Sequence, residues 1–193
     1  MPSKHAKVLD AKNFADVMAH VAAGQHSLRD QTMLLLSHKA GLRAQEIAGL
    51  RWKDVTDANG NVRQDFLYVP ANITKSAQEA ALPMHPHLYL VLVALRTARP
   101  DDLNVVYGQY KQRKPMTPTA VAKWFQRTYD ACKLQGCSSH SGRRTFITSL
   151  ARKANLHDCS ILDVKMLARH ASMATTQLYI APSNNVGRLV AAI

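Results

Sequence analysis

A mainly helical fold carrying one small antiparallel β-sheet (α+β) is what this chain predicts, on three observations. Apolar residues recur at helical spacing over most of its length. One stretch, residues 52–84, breaks that period with β-rich runs around a turn signal. The length of 193 residues is enough for one well-buried core. One domain over 1–193 is therefore the expected organisation, with residues 1–8 as an N-terminal tail and 182–193 as a C-terminal tail.

Each element follows from local pattern. The first helix begins after Asp10 and runs over about 11–23, with Phe14, Val17, Met18 and Val21 on one face. A second covers about 28–40, carries the apolar block MLLL and stops at Gly41, and a short third covers 44–50. From Trp52 to Met84 the pattern changes. DANGN at 57–61 is a turn signal, FLYV at 66–69 is β-rich, and AALPM at 80–84 is a second extended run, which together predict two or three antiparallel strands. The polar ANITKSAQE between the runs suits a hairpin that presents a residue. Helices return after Pro86 with LYLVLVALRTA, and then with TPTAVAKWFQRTYDACKL, which is capped at Thr117 with Pro118 in its first position. Three more are expected at about 140–154, 160–169 and 173–180. The intervening RPDDLNVVYGQYKQRKPM is a loop for which a phosphate-contacting surface and a solvated linker are equal readings.

Composition narrows the partners. Lys and Arg number 25 against 13 Asp and Glu, a formal net charge of +12 that favours a polyanion, nucleic acid first. The three cysteines, Cys132, Cys137 and Cys159, form no metal-ligand pattern and read as ordinary thiols of a reducing compartment. His85 and His87 lack carboxylate or thiolate company and read as structural or surface residues, so neither a metal nor a cofactor is expected. No signal-peptide run and no stretch of about 18 apolar residues appears, which points to a bacterial-type cytoplasm or nucleoid and away from a membrane.

Candidate chemistry concentrates in a few residues. Arg43, at the start of the third helix, needs an anion to offset its desolvation, and Glu46 three positions on is a ready partner. A plain intrahelical pair and a ligand-binding arginine both remain open there. In SSHSGRRTFITSLARK, Ser138 or Ser139 can cap a helix whose first turn carries His140 and Arg143 on one face, at the end where a phosphate binds well. In LARHASMATTQLYIAPS, His170 closes one helix, Ser172 caps the next, and Tyr179 arrives just before Pro182. Taken alone, a tyrosine there is a packing residue. Together with Lys75 in the hairpin, these side chains hold what attack on a phosphodiester needs: guanidiniums for the phosphate, proton-moving groups and a phenol nucleophile.

AGLRAQEIAGLRWKDV, ITKSAQEAALP, HSGRRTFIT and LARHASMATTQLY, in that order, resemble the four sequence boxes of the tyrosine recombinases, the phage-integrase family, over about Leu9 to Tyr179. The resemblance implies that family's catalytic-domain fold. It carries the catalytic roles onto Arg43, Lys75, His140, Arg143, His170 and Tyr179, with Glu46 supporting Arg43 and Pro83 closing the hairpin. The chain departs from the pattern in placing Arg169 where a glycine is usual before the second histidine, and in a longer stretch between Arg143 and His170. Against that pattern the chain is expected to hold the catalytic domain without a separate N-terminal DNA-clamping domain, resembling short fimbrial-type invertases or a fragment of a longer integrase.

The function so implied is site-specific cutting and rejoining of double-stranded DNA through a 3′-phosphotyrosyl bond, without a metal or other cofactor. A tetramer on DNA, a monomer without it and accessory DNA-bending proteins are the implied partners. For the apolar VGRLVAAI segment, docking on a neighbouring protomer and folding back on its own domain both stay open. Two alternatives remain: an inactive DNA-binding regulator of the same fold, and a type IB topoisomerase-like enzyme.

Overall fold

The computed structural model describes residues 6–108 and 114–179, which divide into two compact units, 1–146 and 147–193. The first unit opens with α1 (Ala11–Ala22), capped as expected by Asp10, whose carboxylate accepts from the Asn13 N–H at 2.7 Å. α2 (Ser27–Lys39) is the centre of the core. Met33, Leu34, Leu35 and Leu36 are all fully buried, because α1, α5 (Pro86–Ala98) and α3 (Ala44–Gly49) pack on different sides of it. A helix covered on several sides needs no single apolar stripe. α6 (Pro118–Ala131), with its Thr117 cap and Pro118 in the first turn, packs against α3 and contributes Val121, Phe125 and Tyr129 to the core.

The stretch after Leu50 departs from the expectation of strands alone. Trp52–Val55 forms one helical turn, α4, because Asp54 Oδ2 accepts from the Arg51 N–H at 2.9 Å and so satisfies a donor that a strand would have used. The sheet then has two strands, β1 (Phe66–Val69) and β2 (Ala80–Pro83), in the register Phe66↔Pro83 to Val69↔Ala80. The third pairing shrinks to a single bridge, Thr56↔Val62, across the DANGN turn. Leu67 and Val69 point into the core and alternate with half-exposed Phe66 and Tyr68.

The loop after α5 is less solvated than either reading of it required. Val105 and Val106 are fully buried, and Leu50 and Trp52 pair with the segment through Val105 N–H to Leu50 O (3.1 Å) and Trp52 N–H to Leu103 O (3.1 Å). Arg99 is engaged by Asp102, with Nη2 3.2 Å from Oδ1, and lies over the Tyr107 ring. Residues 109–113 of that loop lie outside the described residues, as does the VGRLVAAI segment.

The helix α7 (Ser141–Lys153) begins in the first unit and continues in the second. The second unit also holds the 3₁₀ turn Ala154–His157, α8 (Ile161–Ala168) and α9 (Met173–Gln177). Both short helices are capped by serines: Ser160 accepts from Leu162 N–H and donates to Asp163, and Ser172 accepts from Thr175 N–H. No helix among the described residues is long and apolar enough to cross a membrane.

Candidate active site

In the first unit, the reversal after α2 builds the site. Gly41 stands at φ +64°, a backbone region that favours glycine, and turns the chain so that Leu42 N–H reaches Leu36 O at 3.0 Å and Arg43 caps α3. Glu46, on the first turn of α3, is fully buried. Its Oε2 accepts from the Arg43 backbone N–H at 2.8 Å and its Oε1 from the Arg43 guanidinium at 3.0 Å. One carboxylate thus fixes the main chain and the side chain of Arg43 together, while the side chain stays 27% exposed. The sequence left a plain ion pair and a ligand-binding arginine open. The geometry contains the pair and still presents the cation.

Arg143, on the first turn of α7, is 5% exposed, and its Nη1 donates to Gly41 O at 2.6 Å across a separation of 102 positions. Two guanidiniums from distant segments are therefore attached to the same three-residue turn, 41–43. His140 was expected on the first helical turn with Arg143. Instead α7 starts at Ser141, and His140 sits exposed on the preceding turn, its N–H held by Ser138 Oγ at 3.3 Å. The reason is local: Ser138 and Ser141 bond each other (Ser141 N–H to Ser138 O, 2.9 Å; Ser138 N–H to Ser141 Oγ, 3.0 Å), which closes a turn before the helix begins.

Lys75 is exposed on the turn between β1 and β2, as the hairpin pattern suggested. The Thr74 hydroxyl stitches that turn, donating toward Ala71 O and Gln78 O (3.0 Å each) and accepting from Gln78 N–H at 3.1 Å, while Ala77 adopts φ +50°. The lysine stem is carried on a braced loop with its ammonium in solvent.

In the second unit, His170 and Tyr179 meet. Their ring centroids are 5.6 Å apart at 31°, and Tyr179 is half-buried. His170 Nδ1 shares a hydrogen bond with the hydroxyl of fully buried Thr176 at 3.0 Å, which fixes the ring's orientation and engages one of its two nitrogens. The backbone that delivers His170 is a Schellman turn: His170 N–H bonds Lys165 O at 3.2 Å and Arg169 N–H bonds Met166 O at 2.9 Å, with Arg169 at φ +53°. A glycine is the natural occupant of that conformation, which explains why a glycine is usual at this place in the pattern the sequence resembles. Arg169 adopts the turn nonetheless.

Sequence reasoning named all of these cations, the histidines and the phenol but missed three of their supports. The Gly41 carbonyl and the Thr176 hydroxyl carried no signal beyond a helix stop and a cap neighbour. The αL turn at Arg169 was visible only as an odd residue. Beneath the arginine turn, His38 is buried on α2 with Nε2 3.1 Å from the Tyr129 hydroxyl. Burial, with a smaller contribution from Lys39, pushes its imidazole down to about 3, and burial pushes the Tyr129 phenol well above its ordinary range.

Comparison with known proteins fits this architecture. The model of the phage integrase family matches residues 7–185. Tyrosine recombinase XerD of Pseudomonas aeruginosa is 29% identical over 175 residues, covering 86% of this chain and 55% of the relative. Tyrosine recombinase XerA of Pyrococcus horikoshii is 23% identical over 165 residues, covering 85% and 54%. The chain thus spans about half the length of the curated relatives it matches. Among solved structures, XerH site-specific recombinase bound to its difH substrate superposes with a TM-score of 0.74 at 18% identity, over 100% of this chain and 56% of that one. The Tn1549 transposon integrase in complex with transposon right-end DNA gives 0.78 at 14% identity, over 99% and 66%.

Proposed function

We propose that this chain, which belongs to the phage integrase family, cuts and rejoins double-stranded DNA at a specific site through a tyrosine nucleophile. The observation that carries the reading is the attachment of Arg43 and Arg143 to one turn, the first by a buried carboxylate and the second by a backbone carbonyl. Two guanidiniums held this way offer fixed positive charge to the non-bridging oxygens of a phosphodiester as negative charge builds on them. Fixed charge requires no reorganisation when the reaction occurs.

In the proposed reaction the Tyr179 phenolic oxygen attacks the scissile phosphorus. A tyrosyl O–P bond forms, the bond from phosphorus to the 5′-oxygen breaks, and a 3′-phosphotyrosyl link conserves the bond energy. His140 accepts the phenol proton and Lys75 supplies a proton to the leaving 5′-oxygen, while His170, oriented by Thr176, positions the phosphate. Attack by a 5′-hydroxyl of a second duplex reverses the step on a new partner. Exchange between two duplexes takes four such cleavages, so the working assembly is a tetramer on DNA, aided by accessory DNA-bending proteins, in the cytoplasm of a bacterial host. Support for the substrate comes from the net charge of +12 and from the DNA carried by the XerH and Tn1549 integrase structures.

Covalent trapping tests the reading. Wild type and Tyr179→Phe are incubated with nicked duplexes of diverse sequence, and protein-DNA adducts are sought on a denaturing gel. Adduct in wild type alone is the expected result. Salt-sensitive binding without adduct across a broad library would replace the enzyme by a DNA-binding regulator, and relaxation of supercoils without a target sequence would replace it by a topoisomerase-like activity.

A further inference from the structure

Two glycines, neither of which bears a functional group, occupy the contact that holds Arg143. Gly41 turns at φ +64°, and a Cβ built there would collide with the Phe146 ring, whose Cε1 would lie 2.9 Å away. Gly142 is buried, and a Cβ built there would strike the Ser37 hydroxyl, with His38 Cδ2 at 2.7 Å and Ser37 Cβ at 2.8 Å. The two sites are reciprocal. The turn after α2 gives up its side chain to admit Phe146 of α7, and α7 gives up its side chain to admit Ser37 and His38 of α2.

The consequence for Arg143 is direct. Its neighbour Gly142 lies against α2, its own Nη1 reaches Gly41 O at 2.6 Å, and Phe146, three residues on, fills the space over Gly41. Since real Cβ atoms essentially never approach closer than 3.0 Å, a methyl at either glycine forces a shift at this contact, and a shift of the start of α7 away from the turn at 41–43 is the one that reaches Arg143. The hydrogen bond to Gly41 O then lengthens. Ser37 fills the seat by shape, because its buried hydroxyl has no hydrogen-bond partner among the described residues.

We infer that Gly41 and Gly142 are positioning residues for Arg143: they set the spacing of α2 and α7 that places its guanidinium on the Gly41 carbonyl, beside Arg43. The role in catalysis rests on the proposed phosphodiester chemistry, whereas the seat itself does not. Neither glycine touches substrate in this account. Their effect is on where a fixed positive charge stands, and misplacement of a catalytic group by about 1 Å can cost about 100-fold in rate.

The test uses the full chain and two readouts. Gly142→Ala and Gly41→Ala are compared with wild type and with Gly41→Ala/Phe146→Ala, in which the colliding ring is removed. The first readout is NMR of the Arg143 guanidinium, assigned by its loss in Arg143→Lys. In wild type its Nη protons should be resolved and slow to exchange, and in the single variants averaged and fast. The second is the rate of adduct formation on a nicked duplex, measured beside DNA affinity and melting temperature. The expected result is a 10- to 100-fold slower rate in the single variants with affinity within about threefold of wild type, and recovery of at least a tenth of the wild-type rate in the double variant.

A guanidinium that stays ordered in both single variants overturns the inference whatever the activity. So does a rate that falls only in step with affinity and melting temperature, which is what loss of packing alone would give. If wild type forms no adduct on any duplex, the recombinase reading fails instead, and the guanidinium spectrum alone decides whether the glycines hold Arg143.

Discussion

The arginine turn of the first unit and the histidine-tyrosine pair of the second are built on opposite principles. Arg43 and Arg143 are held from several directions at once, by a fully buried carboxylate, a backbone carbonyl and two glycine contacts, above a core in which Met33 to Leu36 are fully buried. His170 and Tyr179 sit two residues beyond helices of eight and five residues, in a unit that leaves Leu156, Leu162, Met166 and Leu178 exposed. The two guanidiniums are fastened beside a buried core, where packing opposes displacement. The phenol and its imidazole depend on caps and turns, which are local and open at lower cost.

Removing the fixed charge should produce the largest effect. Arg143→Ala is expected to slow adduct formation by about 10²- to 10³-fold. It should also destabilise the first unit by about 1 to 3 kcal/mol, because a buried hydrogen bond from a charged donor to Gly41 O is lost. Arg43→Ala should match the rate loss and destabilise the first unit at least as much, since the fully buried Glu46 carboxylate loses the guanidinium that faces it. Single-turnover trapping and urea denaturation separate the two effects, and a clearly smaller stability loss in Arg43→Ala than in Arg143→Ala would contradict the buried pairing of Glu46.

A core truncation sharpens the contrast in packing. Leu34→Ala should cost about 2 to 5 kcal/mol. In native-state hydrogen exchange, α2 amides should lose protection by that amount while α8 amides scarcely change, because the latter already exchange through local opening. Matching losses in α2 and α8 would show that the second unit opens only with the first.

Acid should act on the arginine turn's foundation. The folded value of His38, about 3, lies below the ordinary 6.5 of the unfolded chain. Between these limits the unfolded state binds a proton that the folded state refuses, so stability is complete above about pH 6.5 and falls as pH drops toward 3, by up to about 1.4 kcal/mol per pH unit. Denaturant titrations at pH 7, 5.5 and 4.5 should show this slope, and His38→Gln should flatten it. An unchanged slope in the variant would assign the acid sensitivity to other groups.

The smallest expected effect compares two of the turns that end helices in αL, both at non-glycine residues. α6 closes at Lys133 (φ +57°) with Leu134 N–H on Tyr129 O at 2.9 Å, the same Schellman geometry that Arg169 supplies after α8. Lys133 is exposed, so Lys133→Gly should relieve the backbone and raise stability by up to about 1 kcal/mol. Thermal melting would register this as a rise of a few degrees. A fall would mean that the entropy of the unfolded glycine outweighs the relief.

How much was legible in the sequence follows a physical boundary. The caps at Asp10, Thr117 and Ser172, the stop at Gly41, the two strands and the exposed hairpin lysine were readable because each depends on residues within about four positions. The same locality explains the two misreadings. A capping acid at Asp54 outweighed the β-like surroundings of Trp52, and paired serines moved the start of α7 past His140. The candidate side chains were also legible, as an ordered set of chemical groups.

What only the tertiary structure decided is which of those groups share a surface and what holds them there. Arg143 finds its acceptor 102 positions away, Val105 and Val106 leave an apparently solvated loop to join the core, and His38 becomes a buried neutral imidazole. Each outcome is set by contacts between segments remote in the chain, whose closure depends on the packing of the whole unit rather than on neighbours in sequence. A glycine read alone is a helix stop. Placed against Phe146 with its carbonyl toward Arg143, it joins two segments a hundred positions apart.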